Sequence, residues 1–206
     1  MGKKKVNPNN LPGSWDEAYE RKLRGHGDGF TDSINLLVFV MMDKFAASYE
    51  DVSCVMYDIE EGLGQFGAGN RLEDIEERMT RKYGLSFPKM PPNFAIPQKR
   101  QCTKKDEKRA YRSGYMTAER VVLTLAARSL LWDGADPEWI VELRKKYDYQ
   151  ADALREKRIS SGDIEDVVKG EYEVEFEVAD VVLHSAHRNE YHDVWLERKK
   201  KREVTK

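Results

Sequence analysis

Apolar residues recur along most of this chain at the three- and four-residue spacing of helices, not at the alternation of strands. Ser14 and Glu17 have capping-box spacing and predict a short helix from Trp15 to about Arg24. Gly25, Gly27 and Gly29 predict its end. Thr31 starts a second helix, amphipathic and mostly buried, through Ile34, Leu37, Val38, Met41, Met42 and Phe45. Ser48 with Asp51 caps a third, whose stripe is Val52, Val55, Met56, Ile59 and Leu63, and Gly64, Gly67 and Gly69 close it. Asn70 with Glu73 starts a fourth, with Leu72, Ile75 and Met79 inward and Tyr83-Gly84 as its C-cap.

Pro88, Pro91, Pro92 and Pro97 then forbid helix and predict a linker. Thr103 with Asp106 opens the next helix, expected to be interrupted near Gly114, and Val121, Val122, Leu125, Leu130 and Leu131 make a second strongly apolar one. Asp136-Pro137 is an N-cap followed by proline at the first helical position, leading into Trp139, Ile140, Leu143 and Tyr147. Ser160 with Asp163 starts a helix carrying Ile164, Val167 and Val168. Residues 171–178 alternate strictly, so an acidic strand is expected there, and helix resumes from Asp180 to about Lys200.

The two halves look alike at a shift of 88 or 89 residues: Gly25 falls on Gly114, and Arg71-Leu-Glu-Asp-Ile-Glu on Ser160-Ser-Gly-Asp-Ile-Glu. The expected architecture is mainly α, with two related helix-hairpin repeats joined by a Pro-rich linker. A short acidic β or extended segment and a basic C-terminal helix follow. The divisions are a flexible arm at 1–13, a repeat at 14–84, a Pro-rich and basic linker at 85–102, a repeat at 103–170, and the remainder at 171–206.

Composition changes this picture in one respect. Of 206 residues, 35 are Lys or Arg and 37 Asp or Glu, so 35% are charged while the net charge is only -2. Average chains hold about 25%. The charges are segregated: nine acids against two bases between Glu50 and Arg78, eight against one between Asp163 and Asp180, but seven bases against two acids between Lys99 and Arg112. Local fields of this kind steer partners and set association rates. The longest apolar run, Leu36–Met42, is far short of the roughly 18 residues of a membrane span. No apolar segment of secretory type follows Lys3–Lys5, and two cysteines make no disulfide framework, so a reducing cytoplasm is expected.

Candidate chemistry is sparse. No catalytic motif is present, and no catalytic residue or cofactor is assigned. Asp180, His184 and His187 stand at i, i+4 and i+7, which suits a divalent ion such as zinc, but no His-Glu-x-x-His or cysteine pair accompanies them, and a solvated helix explains them as well. The glycines at 62, 64, 67 and 69 lack the Lys-Ser/Thr of a phosphate loop and read as a helix end. Cys54 reads as a half-buried thiol. Arg100, Lys104 and Lys105 beside Cys102 predict a lowered thiol pKa, although no base is near. Two surfaces remain. An acidic one comprises Glu73, Asp74, Glu76, Glu77, Glu171, Glu173, Glu175 and Glu177, and would imitate a phosphate backbone. A basic one comprises Lys99, Arg100, Lys104, Lys105, Lys108, Arg109 and Arg112, joined by the 198–202 tail, and would contact nucleic acid, with Tyr111 and Tyr115 available to stack.

The opening Lys4-Lys-Val-Asn-Pro-Asn-Asn-Leu-Pro-Gly-Ser-Trp-Asp-Glu-Ala, with Val40-Met-Met-Asp-Lys-Phe and Asn70–Leu85, resembles a group of small proteins in phages and integrated elements of Firmicutes. The resemblance covers residues 4–85 and, less clearly, 103–174. It implies a phage or mobile-element source and a bacterial host cytoplasm, and carries over no catalytic residue. With segregated charge and no catalytic motif, it makes the first expectation a non-enzymatic inhibitor of a bacterial defence nuclease, anti-CRISPR-like, meeting a CRISPR effector through acidic helical faces. The alternative is an accessory DNA- or RNA-binding protein, and a weaker one is a metal-dependent enzyme at His184 and His187.

Overall fold

The computed structural model describes residues 13, 15–67, 71–87, 94–97, 102–173 and 188–204. They form α1 (Trp15–Phe39), a π-helical turn (Val40–Lys44), α2 (Tyr49–Gly67), α3 (Leu72–Tyr83), α4 (Lys104–Trp132), α5 (Pro137–Arg155), α6 (Ser161–Tyr172) and α7 (Arg188–Val204). The fold is mainly α, and no strand occurs among the described residues. Glu171 and Tyr172 close α6 and Glu173 caps it, so the alternating run begins as helix, while Val174–Val178 lie outside the described residues.

Helix starts follow local chemistry. The Ser48 and Asp51 side chains each accept the other's backbone N–H at 3.2 Å, and the pairs Thr103/Asp106 and Ser160/Asp163 repeat the exchange. Asp136 accepts the Glu138 N–H at 2.8 Å ahead of Pro137. At the C-terminus of α3, Gly84 takes φ 70°, and its N–H reaches the Thr80 carbonyl, the left-handed cap that glycine adopts at least cost.

The shift seen in the sequence recurs in the elements. Trp15 and Lys104, which begin α1 and α4, are 89 residues apart; the starts of α2 and α5 differ by 88 and those of α3 and α6 by 89. The lengths agree as well: 19 residues for α2 and α5, 12 for α3 and α6. Even the left-handed caps correspond, Gly84 to Glu173. The compact units nevertheless do not follow the repeats. One draws on Met1–Phe30 and Pro88–Arg120, the other on Thr31–Phe87 and Val121–Lys206, so each takes a stretch from both halves.

In the first unit the expected helix breaks do not occur. α1 runs through Gly25, Gly27 and Gly29, and α4 through Gly114. The physical reason is close backbone approach. A Cβ at Gly25 would strike the Tyr111 carbonyl, one at Gly114 the Lys22 carbonyl, and one at Gly29 would sit 2.6 Å from the Tyr115 oxygen. Tyr111 and Gly114 are the 89-residue counterparts of Lys22 and Gly25, so the crossing is reciprocal. Ala18, Cys102 and Ala110, with Phe94 and Ile96, form a small core here. Tyr111 donates to Asp28 at 2.9 Å, and Lys104 bridges Glu17 and Glu107, each at 3.1 Å.

The second unit holds the larger core. Ser33–Val38 in α1 and Leu123–Leu131 in α4 are buried without interruption, so these stretches are interior on all sides and not amphipathic. Val52, Val55 and Ile59 of α2, Ile75 and Met79 of α3, Leu143 and Tyr147 of α5, and Ile164 and Val168 of α6 complete the core. Phe45, just after the π turn, meets Trp139 of α5 edge-on at 4.6 Å. α7 packs along α2.

Candidate functional site

The most elaborate polar arrangement lies under α7, in the second unit. Asp58 sits in the middle of the apolar run of α2 and is 1% exposed. Its carboxylate accepts from Ser129 Oγ at 2.5 Å, Trp195 Nε1 at 2.9 Å and Arg202 Nη1 at 2.7 Å. Arg202, its side chain 8% exposed, also holds Asp133 at 2.6 Å. One turn back, Arg198 holds Asp133 and Asp51 at 3.2 Å each, and Glu50. Lys199 pairs with Glu61 at 2.7 Å. Trp195 stacks on Tyr57 at 5.1 Å and closes over Cys54. Breaking one side of a buried pair leaves an uncompensated charge, which is what makes such networks costly to disturb.

The network shifts its members in line with that geometry. Burial works against the Arg198 and Arg202 charges, but the bonds they donate to Glu50, Asp51, Asp58 and Asp133 more than offset it, and both pKa values rise. Burial alone would raise Asp51; its bonds with Ser48 and Arg198 outweigh that, and its pKa falls. Burial, reinforced by Asp133, Asp58 and Glu50, pushes the Cys54 thiol up to about 11. Cys54 is fully buried, not half-buried.

This arrangement redistributes the two expected surfaces. Of the basic tail, Arg198, Lys199 and Arg202 are spent on carboxylates of the same unit, whereas Lys200 and Lys201 are exposed. Of the acidic set, Glu76 is buried and accepts from Thr124 at 3.1 Å, so it belongs to no surface. Glu73, Asp74 and Glu77 are exposed on α3, with Glu77 paired to Arg81 at 2.6 Å. They occupy the first half of a helix whose last turn holds Arg81 and Lys82, the order that complements the helix dipole. Glu171 and Glu173 are exposed; Glu175 and Glu177 lie outside the described residues.

In the other unit, Lys105, Lys108, Arg109 and Arg112 are all exposed on α4. Their spacing of i, i+3, i+4 and i+7 places them in one stripe. Of the two acids of that stretch, Asp106 caps the helix and lies 4.0 Å from Arg109, and Glu107 is buried against Lys104. Tyr111 and Tyr115 lie 6.4 Å apart and half-buried. Lys99 and Arg100 lie outside the described residues.

Cys102 corrects an expectation. Burial, aided by Asp106, Glu107 and Glu17, raises its pKa, and Lys104 only partly opposes this. Bases adjacent in sequence do not lower the pKa of a thiol that the fold buries among carboxylates. Asp180, His184 and His187 lie outside the described residues, among which no cluster of metal-ligating side chains occurs. His192 packs against the Tyr57 ring at 5.3 Å.

Sequence reasoning passed over Asp58, Arg128, Asp133 and Trp195. A signal for Asp58 was available: it is the one charge inside Val52–Ile59, three residues after Val55 on the same helical stripe. Arg128 stands likewise within the apolar stretch of α4. No known protein family, curated protein or solved structure matches the chain.

Proposed function

We propose that this protein acts by electrostatic binding to a macromolecular partner, and that its leading contact surface is the basic stripe of α4, directed at the phosphate backbone of nucleic acid. The observation that carries this reading is the stripe itself: four exposed cations in one helical row, with Glu107 in the core and Asp106 bonded in the helix cap at the edge of the row, 4.0 Å from Arg109. Lysine and arginine displace condensed counterions from phosphates, so affinity falls steeply with salt. Full engagement by four contacts gives a slope of about -3.6 in log K against log salt on duplex. Binding of duplex and single-stranded oligonucleotides at two or more salt concentrations tests this. Replacing Lys108 and Arg112 with Gln reduces the slope by about 2. An unchanged slope, or no nucleic-acid binding by the parent protein, removes the reading.

A second reading retains the acidic surface. Glu73, Asp74 and Glu77 are exposed together on α3, and Glu171 and Glu173 at the end of α6, which supports a protein that occupies the basic channel of a nuclease. The sequence resemblance to phage and mobile-element proteins makes a defence nuclease of the host, with a CRISPR effector as the example, the partner class for it. Retention of the protein by an effector–guide complex, lost when Glu73, Asp74 and Glu77 become amides, supports this reading. Retention that survives those changes eliminates it.

A further inference from the structure

A cleft of about 460 Å³ in the second unit is lined from α2, α3 and α4, and its charged lining residues are Arg78, Lys82 and Arg128. Arg128 is 7% exposed. It is held by neutral acceptors, donating from Nη1 to the Gln65 side chain at 3.2 Å and from Nη2 to the Asp58 carbonyl at 3.5 Å. Its guanidinium lies over the Trp132 ring at 4.5 Å. Its Nε is buried with no hydrogen-bond partner among the described residues. A buried cation ordinarily has a counter-charge and a full set of acceptors. The two acids whose charge acts on it are engaged elsewhere: Asp58 is bonded to Arg202 and Glu61 to Lys199. Arg202 and Arg78 add repulsion. Among the described residues Arg78 bonds a backbone carbonyl, that of Asp74 at 3.1 Å, and Lys82 lies over the Tyr83 ring at 5.1 Å. Both are exposed, on the stretch of α3 that lines the cleft.

We infer that this cleft binds a polyphosphate group, with Arg128 as the buried anchor and Arg78 and Lys82 closing on the outer oxygens. Three cations with no carboxylate partner among the described residues match a group carrying about three negative charges, and guanidinium forks suit phosphate oxygens. The aromatic rings are occupied by cations, so they orient the charges and leave the phosphate chain as the recognised part. The site is independent of the α4 stripe, whose residues belong to the other unit.

Calorimetric titration of the full chain with tripolyphosphate, and separately with ATP, tests the inference. Saturable binding with a dissociation constant below about 0.1 mM is expected for three charge-assisted contacts. Equal affinities identify the free polyphosphate chain as sufficient, and ATP binding at least about tenfold tighter identifies a nucleoside triphosphate as the source. The double variant Arg78→Gln/Lys82→Gln alters exposed residues only and loses at least about tenfold in affinity while its circular dichroism is unchanged. Arg128→Met tests the anchor: tripolyphosphate raises the melting temperature of the parent protein and not that of the variant. No saturable binding, affinity retained in the double variant, or equal displacement by sulfate at matched ionic strength would overturn the proposal.

Discussion

The buried pair of Asp58 and Arg202, 2.7 Å apart, ties α7 to α2. Asp58→Ala removes a carboxylate that is 1% exposed; it leaves Ser129 Oγ and Trp195 Nε1 without their acceptor and Arg202 with Asp133 alone. Removing one partner of a buried ion pair costs about 3–5 kcal/mol. For a chain of this size each kcal/mol lowers Tm by about 2–4 °C, so the loss is about 6–20 °C. Arg202→Met costs about as much, about 3–5 kcal/mol, because it leaves the Asp58 carboxylate buried with two neutral donors, Ser129 and Trp195, and no bonded cation among the described residues. The double variant costs less than the two single losses added together, since it leaves neither the Asp58 carboxylate nor the Arg202 guanidinium without its partner. Urea unfolding followed by tryptophan fluorescence measures all three, and the cycle yields a coupling of at least about 1 kcal/mol. Single losses under about 1 kcal/mol that add to within about 0.5 kcal/mol would show that the network is ornamental and the reasoning wrong.

Three further outcomes are expected. Gly25→Ala and Gly114→Ala each destabilise the fold by about 1–3 kcal/mol, because their Cβ atoms would meet backbone, whereas Gly27→Ala, which meets nothing within 4 Å, stabilises α1 by up to about 1 kcal/mol; thermal unfolding reads the opposite signs. Native protein resists a thiol reagent at mildly alkaline pH, because burial holds Cys54 up at about 11 and raises Cys102 as well, and labelling of both accompanies urea unfolding; prompt labelling of either in the native state refutes this burial. Acid weakens the α7 contact: with the folded pKa of Asp51 depressed, the unfolded chain takes up its proton first, so stability is present above the ordinary carboxylate value and is lost as pH falls through the folded one. The urea midpoint should drop as pH falls below the ordinary carboxylate range, less steeply in Asp51→Asn.

What could be read from the sequence was whatever depends on neighbours three or four residues away. The Ser48/Asp51, Thr103/Asp106 and Ser160/Asp163 pairs and Asp136-Pro137 start helices where expected, and Gly84 ends one where expected. The 89-residue correspondence was visible for the same reason, since it is carried by those signals in order. Glycines and charges behaved differently. Gly25, Gly29 and Gly114 are helix breakers by local propensity, at about 1 kcal/mol each. Backbones that cross in contact use that same missing Cβ, and α1 and α4 run on. The acidic stretch from Glu50 to Arg78 was one block of charge in the sequence; the tertiary structure divides it. Glu50, Asp51, Asp58 and Glu61 neutralise α7, Glu76 enters the core, and Glu73, Asp74 and Glu77 remain exposed. The four-cation stripe was legible as a spacing, but its exposure depended on Glu107 turning inward.

By itself the sequence determined that the protein is helical, where most helices begin, and that its two halves share a plan, because hydrogen-bond caps and apolar periodicity act within a turn or two of the chain. Only the tertiary structure decided which charges face a partner, because a carboxylate is spent or available according to whether a cation more than a hundred residues away, as Arg202 is from Asp58, comes to rest against it.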